Sequence, residues 1–376
     1  MPSRPTRPFQ SLSLAAMLVP LAAGAQNLVA AQESVLPFRL DRASIGPIEE
    51  SGAMLVFGRD LTTAAQRSLR IDGTSVTAGP GVPSDHVADV VPCGGARWLV
   101  EFGALPHAGT SIAIAGATPV WHRETANDAR ARCVAGQLLI GYRRGGELVT
   151  QVLTPALGPA QYVRVAPAGV EAAITWVAAA TDEFMVVAHG ADGVSLELIR
   201  IVAGAIAQRR NLVGSGRVAL AVGTDRVFVA TGAADGESAT LQSFARVDLA
   251  PGRATVLSGG SGHAIEVDSL WPGPQGLVAI GFGEGWTALH TRHYQSSLRL
   301  WDPSSGAYGA VTDLGGGDGH AVAWLGETLI VVQGEHPVPG SGPYPRGVTP
   351  PVVRVEPARL RRFTVGPWQH GPTRAP

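Results

Sequence analysis

A hydrophobic run ending near a glycine returns about every 40 to 50 residues along this 376-residue chain. The copies are Met54-Leu55-Val56-Phe57-Gly58, Leu99-Val100-Glu101-Phe102-Gly103, Leu138-Leu139-Ile140-Gly141, Met185-Val186-Val187, Val227-Phe228-Val229-Ala230, Val278-Ala279-Ile280-Gly281 and Leu329-Ile330-Val331-Val332. Self-similarity at such a period means one supersecondary unit stacked many times, each burying its apolar faces on its neighbours. That excludes a one-off globular fold. Seven copies predict an all-β, seven-bladed β-propeller of four-stranded antiparallel blades.

The neighbours of each central run return too. Before it stands another apolar run closed by a tight turn: Val87 to Val91 before Pro92-Cys93-Gly94-Gly95, Val218 to Val222 before Gly223-Thr224-Asp225, and His320 to Leu325 before Gly326-Glu327. These read as hairpins joining the first and second strands of a blade. After it comes a strand of period two, as in Ser68 to Ile71, Ser195 to Ile199, Leu241 to Leu249, Ser297 to Trp301 and Val352 to Val355. Such alternation buries one face and wets the other. A short fourth strand follows, for example Ala254 to Leu257 or Tyr308 to Leu314. Closing the ring needs a strand from near one terminus in a blade made by the other, either Val35 to Leu40 beside the last blade or Arg361 to Val365 alone.

The sixth unit has Gly262-His263 entering its first strand, Trp271-Pro272-Gly273 near the first turn and Leu298-Arg299-Leu300-Trp301-Asp302 closing the third. It resembles a WD-repeat unit. The seventh keeps Gly319-His320 and Trp324-Leu325-Gly326 but lacks the Trp-Asp ending, and the others keep only the hydrophobic skeleton. The resemblance implies a propeller and no particular activity. It also implies that His263, Trp301 and Asp302 serve a hydrogen-bonded network that fixes the blade.

Composition suits one ordered β domain: 45% of residues are hydrophobic, 16% are charged, and 48 Gly with 28 Pro punctuate the strands. We expect a single propeller over residues 34–368, a short linker at 26–33 and a tail at 369–376. At the N-terminus Arg4 and Arg7 precede the apolar stretch Leu12 to Ala22, and Ala23-Gly24-Ala25 supplies small residues for cleavage. Residues 1–25 therefore read as a secretory signal, too short to span a bilayer. The expected location is extracytoplasmic, periplasmic or secreted, without stable membrane insertion. All 29 basic residues are Arg, and a net charge of -1 provides no field to draw in nucleic acid.

Export gives meaning to the two cysteines. Cys93 stands five residues before Trp98 and Cys133 five before Leu138, so both occupy the inner-strand end of neighbouring blades. In an oxidising compartment they predict a disulfide. Closing that loop of 40 residues would stabilise the fold by about 4 kcal/mol on chain-entropy grounds.

Function must reside in the connections, since blade interiors are packed. Two of those between second and third strands are long and adjacent in the ring: Gly283 to Tyr294, with Glu284, Trp286, His290, Arg292 and His293, and Gly334 to Arg346, with Glu335, His336 and Tyr344. His86, His263 and His320 each begin an innermost strand. As metal ligands they would have to reach across the ring, so no metal is expected, and His263 and His320 are better placed to line a ligand pocket. No cofactor motif occurs, and Gly259-Gly260-Ser261-Gly262 lacks the following helix that a phosphate loop requires. Two readings stand. In one, these loops grip a protein or glycan, with Trp286, Tyr294, Tyr344, Arg292 and Arg346 as anchors. In the other, the protein is a polysaccharide lyase or hydrolase, with His290 or His293 as base, Tyr294 as acid and Arg292 or Arg346 as a carboxylate clamp.

Overall fold

The computed structural model describes residues 26–36, 39–48, 52–63, 66–79, 89–93, 96–102, 110–114, 127–144, 146–153, 158, 160–166, 174–190, 192, 195–233, 236–259, 263–288, 291–315, 320–339 and 352–367. The expected signal segment 1–25 and the tail beyond 367 lie outside them. The described chain forms seven antiparallel sheets of three or more strands and one two-stranded hairpin. This is an all-β propeller, whose one helical element among the described residues is the 3-10 turn Pro274–Gly276. No helix among them is long and apolar enough to cross a membrane.

The sheets follow chain order. The first comprises Leu40–Ile48, Met54–Asp60, Gln66–Asp72 and Ser75–Ala78, and the second Asp89–Cys93, Ala96–Phe102 and Thr110–Ile114. The third is Asn127–Val134, Gln137–Arg144, Glu147–Leu153 and Gln161–Arg164. The fourth is Thr175–Ala178, Glu183–His189, Leu196–Val202 and Ala205–Asn211. The fifth is Ser215–Val222, Arg226–Gly232, Ser238–Ala245 and Thr255–Ser258. In the sixth, Ala264–Pro272, Val278–Ala288 and Thr291–Asp302 are edged by two short pieces, Ala307–Tyr308 and Thr312–Gly315. The seventh runs His320–Leu325, Thr328–Gln333, Arg359–Pro367 and then Gln26–Val35.

Burial explains the repeat. The recurring hydrophobic runs all fall in second strands, which have a sheet packed on both faces. In Glu183–His189 six consecutive residues are buried, whereas Leu196–Val202 alternates and Ala205–Asn211 is exposed throughout. The glycines within these runs make room for indoles: a Cβ on Gly141 would collide with Trp176 of the next sheet, and one on Gly281 would stand 2.7 Å from the ring of Trp271. Core clusters straddle successive sheets. Phe228 and Trp301 meet edge to face at 6.0 Å between the fifth and sixth, and Leu139 and Leu148 pack with Trp176 and Phe184 between the third and fourth. Leu40, Met54 and Val56 pack with Ile330, Val332 and Leu360, joining the first sheet to the seventh.

That last seam closes the ring. Gln26–Val35 pairs antiparallel with Arg359–Pro367, from Gln26 opposite Pro367 to Val35 opposite Arg359. Closure is N-terminal, but through an earlier segment than Val35 to Leu40. Residues 26–33, expected as a linker, belong to this strand, because its outer position demands no continuous apolar run: Ala30 to Glu33 are exposed. Glu33 accepts from Arg359 at 2.7 Å, Gln32 from Arg362 at 3.0 Å, and Asn27 accepts the Ala310 N–H at 2.6 Å. A second correction follows. Val352–Glu356, expected as the seventh sheet's third strand, pairs instead with His336–Pro339 in a hairpin inserted before the true third strand. Leu360 and Phe363 are buried in that true strand, whereas Val355 is 52% exposed.

Cys93 and Cys133 form the expected disulfide, with Cα atoms 5.2 Å apart at the hairpin ends of adjacent inner strands. The sixth sheet sets His263 and Asp302 far apart along its strands. Asp302 accepts from the Ser304 and Ser305 hydroxyls, both at 2.6 Å, within its own turn. His263 lies beside Gly285's end of the sheet, at the opposite end from Asp302. Trp301 is fully buried, a packing role.

Two outcomes test this architecture. Deleting residues 26–35 should lower the melting temperature by several degrees in a circular-dichroism melt, since it strips the ladder from the seventh sheet; an unchanged melt would refute N-terminal closure. Cys93→Ser should cost about 2–4 kcal/mol in denaturant unfolding under oxidising conditions, and nothing further when reductant is added to the variant.

Candidate functional site

The end of the ring where each first strand begins and each second strand ends is called here the upper end. The other second strands have six to eight residues, but Val278–Ala288 has 11 and its partner Thr291–Asp302 has 12. The segment expected as a loop is thus a hairpin that prolongs the ladder: Gly285 stands opposite Tyr294, Trp286 opposite His293 and Thr287 opposite Arg292. Alternating polar and aromatic residues satisfy a two-residue period as readily as a loop composition does. His290 at its tip lies outside the described residues. The neighbouring connection is also a hairpin, with His336 opposite Glu356; Tyr344 and Arg346 lie outside the described residues, as does His86.

Three of the expected ligand residues make contacts within the protein. Glu335 receives Arg39 at 2.9 Å and 2.6 Å on its two oxygens, and its N–H donates to the Leu40 carbonyl at 2.5 Å, tying the seventh sheet to the first. Its carboxylate is only 8% exposed. The hydrogen bonds from Arg39 hold Glu335 below the usual glutamate range. His263 lies 3.5 Å from Glu284 through Nδ1, at the base of the long hairpin. On the same sheet Arg299 stacks over the half-buried Tyr308 ring at 5.2 Å, and desolvation pushes that phenol up to about 12.

His320 lies elsewhere, in a cleft of ≈ 390 Å³ between the sixth and seventh sheets that is also lined by Trp271, Ser296, Glu266, Asp268 and Arg217. The last three were not singled out from sequence. Arg217 belongs to the fifth sheet's inner strand, and its guanidinium pairs with Glu266 and, at 3.2 Å, with Asp268 on the sixth. Both strands are interrupted there. The fifth slips register between Ser215 and Val218, with Gly216 at φ 73°, and the sixth slips between Val267 and Ser269, at Asp268. A bulge re-aims a side chain that regular pleating would place elsewhere. A glycine inside a strand pattern and two acids in Ala264-Ile265-Glu266-Val267-Asp268 are the signals that could have found this site. A second cleft of ≈ 370 Å³, lined by Thr175, His189 and Leu196, shares Arg217 and Asp268.

The fold and these clefts define a propeller with an ionic cluster and two projecting hairpins at one end. No protein-family model matches the sequence, and no curated protein matches it. Among solved structures it is similar to the Dos1 propeller, at 6% identity and a TM-score of 0.48 over 90% of this chain and 95% of that one. BamB from Moraxella catarrhalis is similar at 10% identity and 0.45, over 90% and 99%. A fucose-specific lectin from Aleuria aurantia is similar at 11% and 0.40, over 75% and 100%. Likeness at this level transfers no activity.

The Arg39 clamp makes a pH prediction. A carboxylate lowered in the folded state contributes stability that is complete above the ordinary glutamate range and is lost as pH falls through its lowered value. Glu335→Gln should therefore lower the melting temperature at neutral pH and flatten its decline below about pH 5 relative to the parent. Parallel acid limbs in parent and variant would refute the assignment.

Proposed function

We propose that the protein is an extracytoplasmic binding propeller whose upper end, at the sixth and seventh sheets, holds a protein or glycan ligand. The observation that supports this best is that the sixth and seventh sheets each carry a hairpin absent from the other described sheets, with an open cleft between the same two sheets. The sixth sheet's second and third strands are longer than those of any other described sheet, and the seventh sheet's connection carries an inserted hairpin, so extra backbone is concentrated at these two sheets. Projecting segments on a rigid scaffold are where binding residues accumulate. Glu284, Trp286, Arg292, His293, Tyr294 and His336 belong to these hairpins, and His263 and His320 stand at their feet. The disulfide supports an oxidising compartment, in keeping with the signal-like N-terminus.

Replacing residues 286–293 by Asn-Gly, and separately 336–356 by a short Gly-Ser turn, tests the reading. Each change should reduce capture of ligand by at least about tenfold, on a glycan array or in cross-linking to envelope proteins, with the melting temperature within a few degrees of the parent. Undiminished capture by both variants would overturn it.

A further inference from the structure

We propose that the cleft between the sixth and seventh sheets is a subsite for a single neutral sugar ring. This rests on the reading of the upper end as a binding face, and names the chemistry it takes. The two bulges put Arg217 against Glu266 and Asp268. All three remain open to solvent, with side chains 71%, 36% and 40% exposed, so this is not a buried structural pair. The cleft beside them is also lined by Trp271, Ser296 and His320. Its ≈ 390 Å³ falls within the size range of small-molecule sites.

The donor and acceptor inventory selects the ligand. A sugar hydroxyl both donates and accepts; carboxylates only accept and a guanidinium only donates. The cluster offers both roles side by side, so adjacent hydroxyls can bond to Asp268 or Glu266 and to Arg217 without breaking the pairs. An aromatic ring gives the sugar's C–H face an apolar partner. Charge argues against an anionic sugar, which two carboxylates against one guanidinium repel, and a cationic sugar is distinguished by the glucosamine control below. Gly216 belongs to this design, because its left-handed φ of 73° lets the backbone place Arg217 over the cleft.

Glucose, galactose and mannose, with glucosamine and glucuronate as charged controls, would be titrated into the full chain by saturation-transfer NMR and calorimetry. At least one neutral hexose should saturate with a dissociation constant of about millimolar, as expected for so few atoms. Asp268→Ala and Glu266→Gln should each weaken it by about tenfold or more, with unchanged melting temperature because both side chains are exposed. Absence of saturable hexose binding, indifference to both variants, or binding of glucosamine alone would each overturn the proposal. The hairpin-shortened chains separate it from the broader reading. If they lose the macromolecular ligand while no hexose binds the parent, only the sugar subsite falls. If hexose binds the cleft while shortening leaves macromolecular capture intact, only the hairpin reading falls.

Discussion

The ladder between Gln26–Val35 and Arg359–Pro367 is the contact on which the remaining geometry depends. A sheet in a repeat array touches only its two neighbours, so an open array of the same sheets would leave two large apolar faces in water. Joining the first and seventh sheets through Leu40, Met54, Ile330 and Leu360 removes both faces at once. Arg362 reinforces the seam by donating to the Gly73 carbonyl at 3.0 Å. With the ring closed, the inner strands are held at fixed positions, and side chains on neighbouring strands such as Arg217 and Asp268 can meet.

The ring's ion pairs differ in exposure. At the lower end, Glu183 receives Arg200 at 2.8 Å and Arg246 at 2.6 Å, binding the fourth sheet to the fifth. Burial raises this carboxyl, and the two arginines more than reverse the effect, leaving it below its ordinary value. These groups are largely sequestered and act as fasteners. At the upper end Arg217 bridges its two acids in the open. Exposed pairs contribute little stability, about 0–1 kcal/mol, so this one brings the fold little.

The fold was legible because burial on both faces of a second strand forces an unbroken apolar run, which composition alone makes visible in Met54 to Gly58 or Leu329 to Val332. Cys93 and Cys133 were legible for a related reason, since equal offsets from successive repeats translate into equal positions on successive sheets. Outer strands were harder. Gln26–Val35 is half polar and exposed, and its partner lies more than three hundred residues away, so no local pattern marks it as a strand. The hairpins passed for loops because polar residues, glycine and proline make up much of both segments, a composition that loops share. Arg217 and Asp268 were invisible as a pair, since a register slip leaves no trace in composition beyond one glycine. What sequence offered at the site was its neighbourhood, through His320 and Glu284, and not the cluster beside them.

The seam between chain ends also sets an order of events. Its two strands are separated by nearly the whole chain, so the ring cannot close until the seventh sheet's third strand has emerged. Contacts of such long sequence separation form slowly. During that interval the apolar face of the first sheet, with Leu40, Met54 and Val56, has no partner. A chain crossing a membrane unfolded would spend this stage vulnerable to association through that face. The disulfide requires only the first 133 residues. It can therefore tie the second sheet to the third while the rest of the propeller is still arriving, so that the early third waits as a covalently limited assembly instead of a loose chain.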